Sequence, residues 1–286
     1  MRPRAALVGA SILALAGIAL GAQAVPSSSA AYLARITNTT NTTATAPYFT
    51  CAGATNATAE RAGAVFVFPL NENGLSYLLG ATDQSGHANG AYRGTFATST
   101  TAPLACPRDA GGAYVLNGSS SYVSSPTQIT NPTTFSAEVW FKTTVASGKL
   151  IGFGNGSASG VSTSSQFDRH IYLSTTGQLV FGVYNGGTNV ITSPLAYTNG
   201  AWHHVVATMS PSAGMALYVD GALVASNATF TVPENTTGFW RVGYDNLSGW
   251  PSTGTNYYFT GQMRWAAAYS IALTPAQVAA HYTAGR

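Results

Sequence analysis

Met215-Ala216-Leu217-Tyr218-Val219-Asp220-Gly221-Ala222-Leu223-Val224-Ala225 contains two short runs of strand-forming residues around a central Asp-Gly pair. Both residues of that pair tolerate positive φ, which a type I′ turn requires, so the stretch predicts a two-residue β-hairpin. Upstream, Trp202 to Met209 is apolar on both faces, the pattern of a central strand covered on both sides. In Gln178 to Tyr184 the inward positions are Leu179, Phe181 and Val183. In Phe135 to Lys142, Phe135, Ala137, Val139 and Phe141 share one face while Ser136, Glu138, Trp140 and Lys142 share the other, a period of two that predicts a half-buried strand. A further strand is expected at Ala64 to Leu70. Gly, Asn, Pro and Ser clusters separate these runs at short intervals, so residues 61–286 are expected to be all-β, a sandwich or a jelly roll.

One element departs from this pattern. Thr274-Pro275-Ala276-Gln277 supplies an N-cap, a proline at the first helical position and a capping-box glutamine, predicting a short C-terminal helix. The helix is expected to run to about Tyr282, with Val278 and Tyr282 packed on the sandwich and Gly285 fraying.

The first residues have another character. Arg2 and Arg4 precede an apolar run, Ala5 to Leu20, that ends in Gly21-Ala22-Gln23-Ala24, so residues 1–24 read as a secretory signal peptide cleaved after Ala24. An uncleaved anchor is the alternative. The expected location is secreted, extracellular or cell-surface, with no stable membrane span after cleavage. Residues 25–60 are rich in Ser, Thr, Ala and Asn and read as an extended spacer, with one weak strand at Tyr32 to Ile36. Cys51 and Cys106 are the only cysteines, and in an exported chain they are expected to form a disulfide that holds the spacer's end to the body, two free thiols being the alternative.

Without the leader the chain keeps ten basic and nine acidic residues, a net charge of +1, and it has no basic cluster. A phosphate backbone demands one, so nucleic acid is excluded as a partner.

Four stretches carry a family resemblance. Asp83-Gln84-Ser85-Gly86 resembles an Asp-x-Ser-Gly loop, and Leu116-Asn117-Gly118-Ser119-Ser120-Ser121-Tyr122-Val123 resembles a Leu-Asp-Gly-x-x-x-Tyr-Val turn. Trp202-His203-His204-Val205-Val206-Ala207 and Leu217-Tyr218-Val219-Asp220-Gly221 are similar to the Trp-x-His-Val-Ala and Tyr-Val-Asp/Asn-Gly pair. In this order and spacing they resemble the concanavalin A-like lectin/glucanase, laminin-G-like jelly-roll family of bacterial secreted proteins, over residues from about 62 to 285. The resemblance implies a two-sheet antiparallel jelly-roll sandwich, often supported by calcium, that serves as a binding module for carbohydrate or protein. The family's last core strand commonly reads Gly-x-Ile-Asp-Glu-Val, whereas Gly261-Gln262-Met263-Arg264-Trp265-Ala266 lacks both acids. Asp83, with Asn89, is then the remaining calcium candidate, and an Asx-turn role is the alternative.

Catalysis is disfavoured. Glycoside hydrolysis needs two carboxylates flanking the scissile bond, and the glucanases of the family carry them as Glu-x-Asp-x-x-Glu, which this chain lacks. Asp220 belongs to its turn, and Glu138 is expected to pair with Lys142. His203 and His204 are adjacent on a strand and point to opposite faces, which argues against a shared metal.

Two clusters remain as candidates for ligand binding. Asp168-Arg169-His170 combines an acid, a guanidinium fork and an imidazole at a strand entrance, an ion pair being the alternative. The segment Arg241 to Tyr258 combines aromatic platforms with short polar groups in Tyr244, Asp245, Asn246 and Trp250, as sugar sites do, a self-packed loop being the alternative, while Trp240 is expected in the core. The expectation is therefore a non-catalytic module for carbohydrate or a cell-surface ligand. A structural or adhesion component is the second reading.

Overall fold

The computed structural model describes residues 47–286 with the exception of Ala158. The leader, the first part of the spacer and the strand expected at Tyr32 to Ile36 lie outside the described residues. In chain order the helices are α1 (Cys51–Thr55), α2 (Thr58–Gly63) and α3 (Pro275–Gly285). The strands are β1 (Ala64–Phe68), β2 (Ala91–Arg93), β3 (Thr98–Ser99), β4 (Ala113–Asn117), β5 (Tyr122–Ser124), β6 (Ile129–Thr130), β7 (Phe135–Lys142) and β8 (Lys149–Gly154). They continue with β9 (Phe167–Leu173), β10 (Gln178–Tyr184), β11 (Thr188–Ala196), β12 (Trp202–Ser210), β13 (Gly214–Val219), β14 (Ala222–Asn227), β15 (Thr237–Val242) and β16 (Thr260–Tyr269).

The expected hairpin is β13–β14. Asp220 and Gly221 have φ of 51° and 81°, and Val219 pairs with Ala222. The Asp220 carboxylate also accepts the His204 backbone N–H at 2.9 Å and lies 2.8 Å from His203 Nδ1, tying the turn to the central strand β12.

Two antiparallel eight-stranded sheets result. The first runs β14-β13-β12-β7-β16-β4-β3 with β1 added to β16, and the second runs β11-β10-β9-β8-β15-β5-β2 with β6 added to β15. The strand periodicity aims Phe135, Val139, Phe141, Leu217 and Met263 of the first sheet at Ile151, Phe153, Ile171, Phe181 and Trp240 of the second. Trp240 is a core residue, as expected.

The outer face of the first sheet is covered, which corrects the half-buried reading of β7. Ser136, Glu138 and Trp140 are all buried, because α3 and the 47–63 segment lie over them. Trp140, Val206, Tyr218, Trp265 and Val278 form a second apolar cluster there, joined by the disulfide. Cys51 and Cys106 are bonded with Cα atoms 5.7 Å apart, and closing that loop is worth about 4 kcal/mol on the chain-entropy model.

The end of the spacer folds into α1 and the start of α2, whereas the composition predicted extended chain. The reason is distant in sequence: Asp109 accepts the Cys51 and Ala52 N–H groups at 2.8 and 3.1 Å, satisfying the first turn of α1, while Thr50 caps Gly53 N. The capping box of α3 is present, but the helix extends to Gly285 without fraying. A Cβ at Gly285 would lie 2.2 Å from the Trp140 ring, and the Gly285 carbonyl accepts Cys106 N–H at 2.8 Å, so close packing holds the last turn. No helix among the described residues is long and apolar enough to cross a membrane.

Glu138 does not pair with Lys142. One of its oxygens lies 2.8 Å from His204 Nε2, and both lie within 3.1 Å of His281 Nδ1. Glu60 approaches His281 Nε2 at 3.7 Å and accepts Gln277 Nε2–H at 2.8 Å, so the buried ionic cluster joins α2, α3 and the sheet.

Arg264, where the resemblance led to an acid being expected, donates to the carbonyls of Cys106, Asp109 and Ala110 at 2.7 to 2.8 Å and to that of Ala105. A bulge with Trp265 at φ 51° accompanies it. The guanidinium thus organises the loop that carries Cys106.

Candidate binding site on the outer face of the second sheet

A row of residues crosses four strands on this face: Arg241 of β15 pairs with Gly152 of β8, and Gly182 of β10 pairs with His170 of β9. The two glycines make a trough. A Cβ on Gly152 would come within 2.6 Å of His170 Cβ and 3.2 Å of Lys149 Nζ, and a Cβ on Gly182 would come within 2.4 Å of the Trp250 ring. With those side chains absent, Lys149 lies along the sheet and Trp250 descends edge-on to His170, 4.1 Å between ring centroids.

The connection between β15 and β16 folds over this trough. Leu247 and Trp250 pack on Tyr172 and Val180, and Tyr172 Oη donates to Pro251 O at 2.7 Å. Asp245 anchors the start of the loop: it accepts Ser164 N–H and Oγ–H at 3.1 and 2.6 Å and lies 3.4 Å from Arg241 Nη1. Asn246 donates to Ser164 O at 3.2 Å, and Tyr244 stacks on Tyr258 at 3.6 Å.

A bulge shapes β9. Arg169 has φ 46°, and the β8–β9 register shifts between Ile151 and Phe153, so Asp168, Arg169 and His170 break simple alternation. Arg169 lies 2.5 Å from Asp168 Oδ1 and donates to Pro132 O at 2.9 Å and to Glu234 O. Asp168 Oδ2 accepts Tyr184 N–H at 3.2 Å.

Burial dominates the electrostatics of the trough. It raises the Asp168 carboxyl to about 6 against the pull of Arg169. It lowers the Lys149 ammonium to about 8, with Asp245 working the other way. Burial and then the neighbouring Lys149 hold His170 well below the usual imidazole range, so it is neutral at pH 7.

Beside this buried floor opens a cleft of about 370 Å³. Phe167, Tyr184 and Trp250 supply its aromatic surface, and Gln166, Thr188 and Glu234 supply polar groups. The structure thus brings both sequence-derived clusters together, Asp168-Arg169-His170 beneath and Tyr244 to Trp250 above. It corrects how they were expected to act. Asp168, Arg169, His170 and Asp245 are buried, with both acids committed to arginines, so they support the cleft rather than presenting polar groups to a sugar. Trp250 borders the cleft with 6% of its surface exposed.

The residues that sequence reasoning missed are Gln166, Phe167, Tyr184 and Glu234. Phe167 adjoins Asp168, and Tyr184 precedes Asn185-Gly186-Gly187, a turn signal at a strand end that could have marked a rim position. Glu234 carried no such signal, since only tertiary folding brings its loop here.

The calcium candidates do not fit a cation. Asp83 Oδ1 accepts Val67 N–H and Ser85 N–H at 2.8 and 3.1 Å, Oδ2 accepts His87 N–H at 2.8 Å, and the Ser85 hydroxyl, 2.8 and 2.7 Å from the two oxygens, donates its one hydrogen between them. Asn89 Oδ1 accepts Asp83 N–H at 3.0 Å. Donors aimed at these oxygens occupy the directions a metal needs, which is the Asx-turn arrangement. The one group of three metal-type side chains found among the described residues is Cys51, Cys106 and Asp109, and its cysteines are joined to each other.

A two-sheet jelly roll with an aromatic-walled cleft on a sheet face has the architecture of a lectin-like sandwich. Residues 117–279 match the family model described as the concanavalin A-like lectin/glucanases superfamily, more than half of the chain, and the chain belongs to that superfamily. Solved structures with the same fold include the binding domain of Paraclostridial Mosquitocidal Protein 1, at 14% identity and TM-score 0.55 over 78% of this chain and 52% of that one. The receptor binding domain of botulinum neurotoxin C/D mosaic serotype matches at 13% identity and TM-score 0.51, over 78% and 51%. The botulinum neurotoxin serotype G binding domain matches at 11% identity and TM-score 0.52, over 77% and 50%. The chain spans about half the length of these three proteins, and at such identities the likeness is one of fold. No curated protein matches this chain significantly.

Proposed function

We propose that this protein is a secreted, non-catalytic module that binds carbohydrate, free or on a cell surface, in the cleft at Phe167, Tyr184 and Trp250. The cleft carries the reading: three aromatic residues line a space of about 370 Å³ together with the polar residues Gln166 and Glu234, and pyranose rings present C–H patches and hydroxyls that suit such a mixed lining. Membership of a superfamily that includes lectins supports it. So does the occurrence of the same fold in toxin binding domains. Export is supported by the leader read at residues 1–24. The absence of catalysis is supported by the lining: Glu234 is its one carboxylate among the described residues, whereas glycoside hydrolysis ordinarily uses two.

The test is titration of the leader-free protein against a glycan array and cell-wall polysaccharides, repeated with Tyr184→Ala and Trp250→Ala. Loss of a flanking aromatic is expected to weaken binding about thirtyfold. An absence of glycan binding under all conditions overturns the reading and favours an adhesion component, which would show itself as self-association.

A further inference from the structure

Lys149 is fully buried, and its Nζ has no hydrogen-bond partner among the described residues. The two acids on its face are paired, Asp168 with Arg169 and Asp245 with Arg241, so the ammonium has no ion-pair partner of its own. Both ring nitrogens of the neighbouring His170 are likewise buried without partners. An unpaired ammonium in such a place is costly, and an anion brought against it is held by a charge-assisted hydrogen bond in a medium that screens poorly.

The trough adjoins the cleft. Lys149 Nζ lies 5.7 Å from the centroid of the Phe167 ring, and Trp250 packs on His170; both aromatics also line the cleft. They are the partition between a ligand and the cation. Trp250 follows the exposed Ser248 and Gly249 but is itself 6% exposed and packs on Tyr172, Val180 and His170, so a group that reaches the cation has to displace the indole.

We infer that the ligand of this cleft is an anionic glycan, a sugar bearing a carboxylate, and that the carboxylate passes between Phe167 and Trp250 to pair with Lys149 and accept from His170. The inference rests on the carbohydrate reading of the cleft and deepens it. Glu234, at the rim, accepts hydroxyl hydrogens of the same sugar, and its own charge keeps a carboxylate away from the rim and favours the inner position. The glycines at 152 and 182 have a role in this scheme: a side chain at either would displace Lys149 or Trp250.

The experiment is calorimetric titration of the leader-free chain with oligosaccharides of galacturonic and glucuronic acid, each run beside its methyl ester. The ester keeps the shape and removes the charge. The acid is expected to bind at least about tenfold more tightly than the ester. Lys149→Met, which keeps the length of the stem over Gly152, is expected to abolish that difference, with a thermal melt verifying that it folds. Equal affinity for acid and ester, or a preference that survives in Lys149→Met, overturns the inference. Binding confined to neutral glycans and lost in Tyr184→Ala overturns it while leaving the cleft reading intact, and no glycan binding of either kind overturns both.

Discussion

His281 Nδ1, on the C-terminal helix, lies 3.0 and 3.1 Å from the two carboxylate oxygens of Glu138, in the middle of β7. Burial opposes the charge on both groups. For Glu138 it is outweighed by His281 and His204, which hold the carboxyl far below its usual range, and for His281 it is outweighed by Glu138 and Glu60, which push the imidazole up to about 10. The pair therefore stabilises the fold as ions. The His281 contribution is complete below its ordinary value of 6.5 and is lost as pH rises toward about 10, while that of Glu138 is complete above its ordinary 4.5 and is lost on acidification. Removing one partner, as in His281→Gln, is expected to cost about 3–5 kcal/mol near pH 6. In urea unfolding across pH, the gap between wild type and variant should shrink between pH 7 and 10. A gap that does not change over that range would refute the ionic assignment.

Lys149 acts in the opposite sense. Burial lowers it from 10.5 to about 8, so the unfolded chain binds its proton more readily and the residue destabilises the fold at pH 7. That penalty is relieved as pH rises from about 8 to 10.5. Lys149→Met is accordingly expected to stabilise the protein at pH 7 by about 3 kcal/mol, an order-of-magnitude figure from the shift. The gain should have vanished by about pH 10.5. A less stable Lys149→Met at pH 7 would mean that the ammonium is satisfied in the free protein.

Asp83 is a loop staple, not a cation ligand, on the geometry above. Asp83→Ala leaves the N–H groups of Val67, Ser85 and His87 without their acceptor and is expected to cost about 2 kcal/mol. Chelator and added calcium should leave the wild-type melting temperature unchanged. A calcium-dependent rise that disappears in Asp83→Ala would restore the metal reading.

Much of the fold was legible in local sequence. The Asp220-Gly221 turn, the periodicity of β7 and β10, the doubly apolar β12 and the capping box at Thr274 each depend on neighbours a few residues away, where backbone sterics and side-chain alternation decide. Composition misled at 51–60, because a helix of five residues has little intrinsic stability and here depends on Asp109 and a disulfide from far along the chain. The outer face of β7 looked solvent-facing for a related reason: Glu138 is polar, and its partners His204 and His281 are 66 and 143 residues distant.

The candidate site shows the same division. Local sequence determined which segments were rich in binding chemistry, Asp168 to His170 and Tyr244 to Trp250, because residue type and turn propensity are properties of the chain itself. Only the tertiary structure decided that these segments meet, that their acids are spent on Arg169 and Arg241, and that Phe167, Tyr184 and Glu234 are left to line the cleft. Pairing and burial are set by strand order across a sheet, and strand order is a long-range outcome of packing that no local pattern encodes.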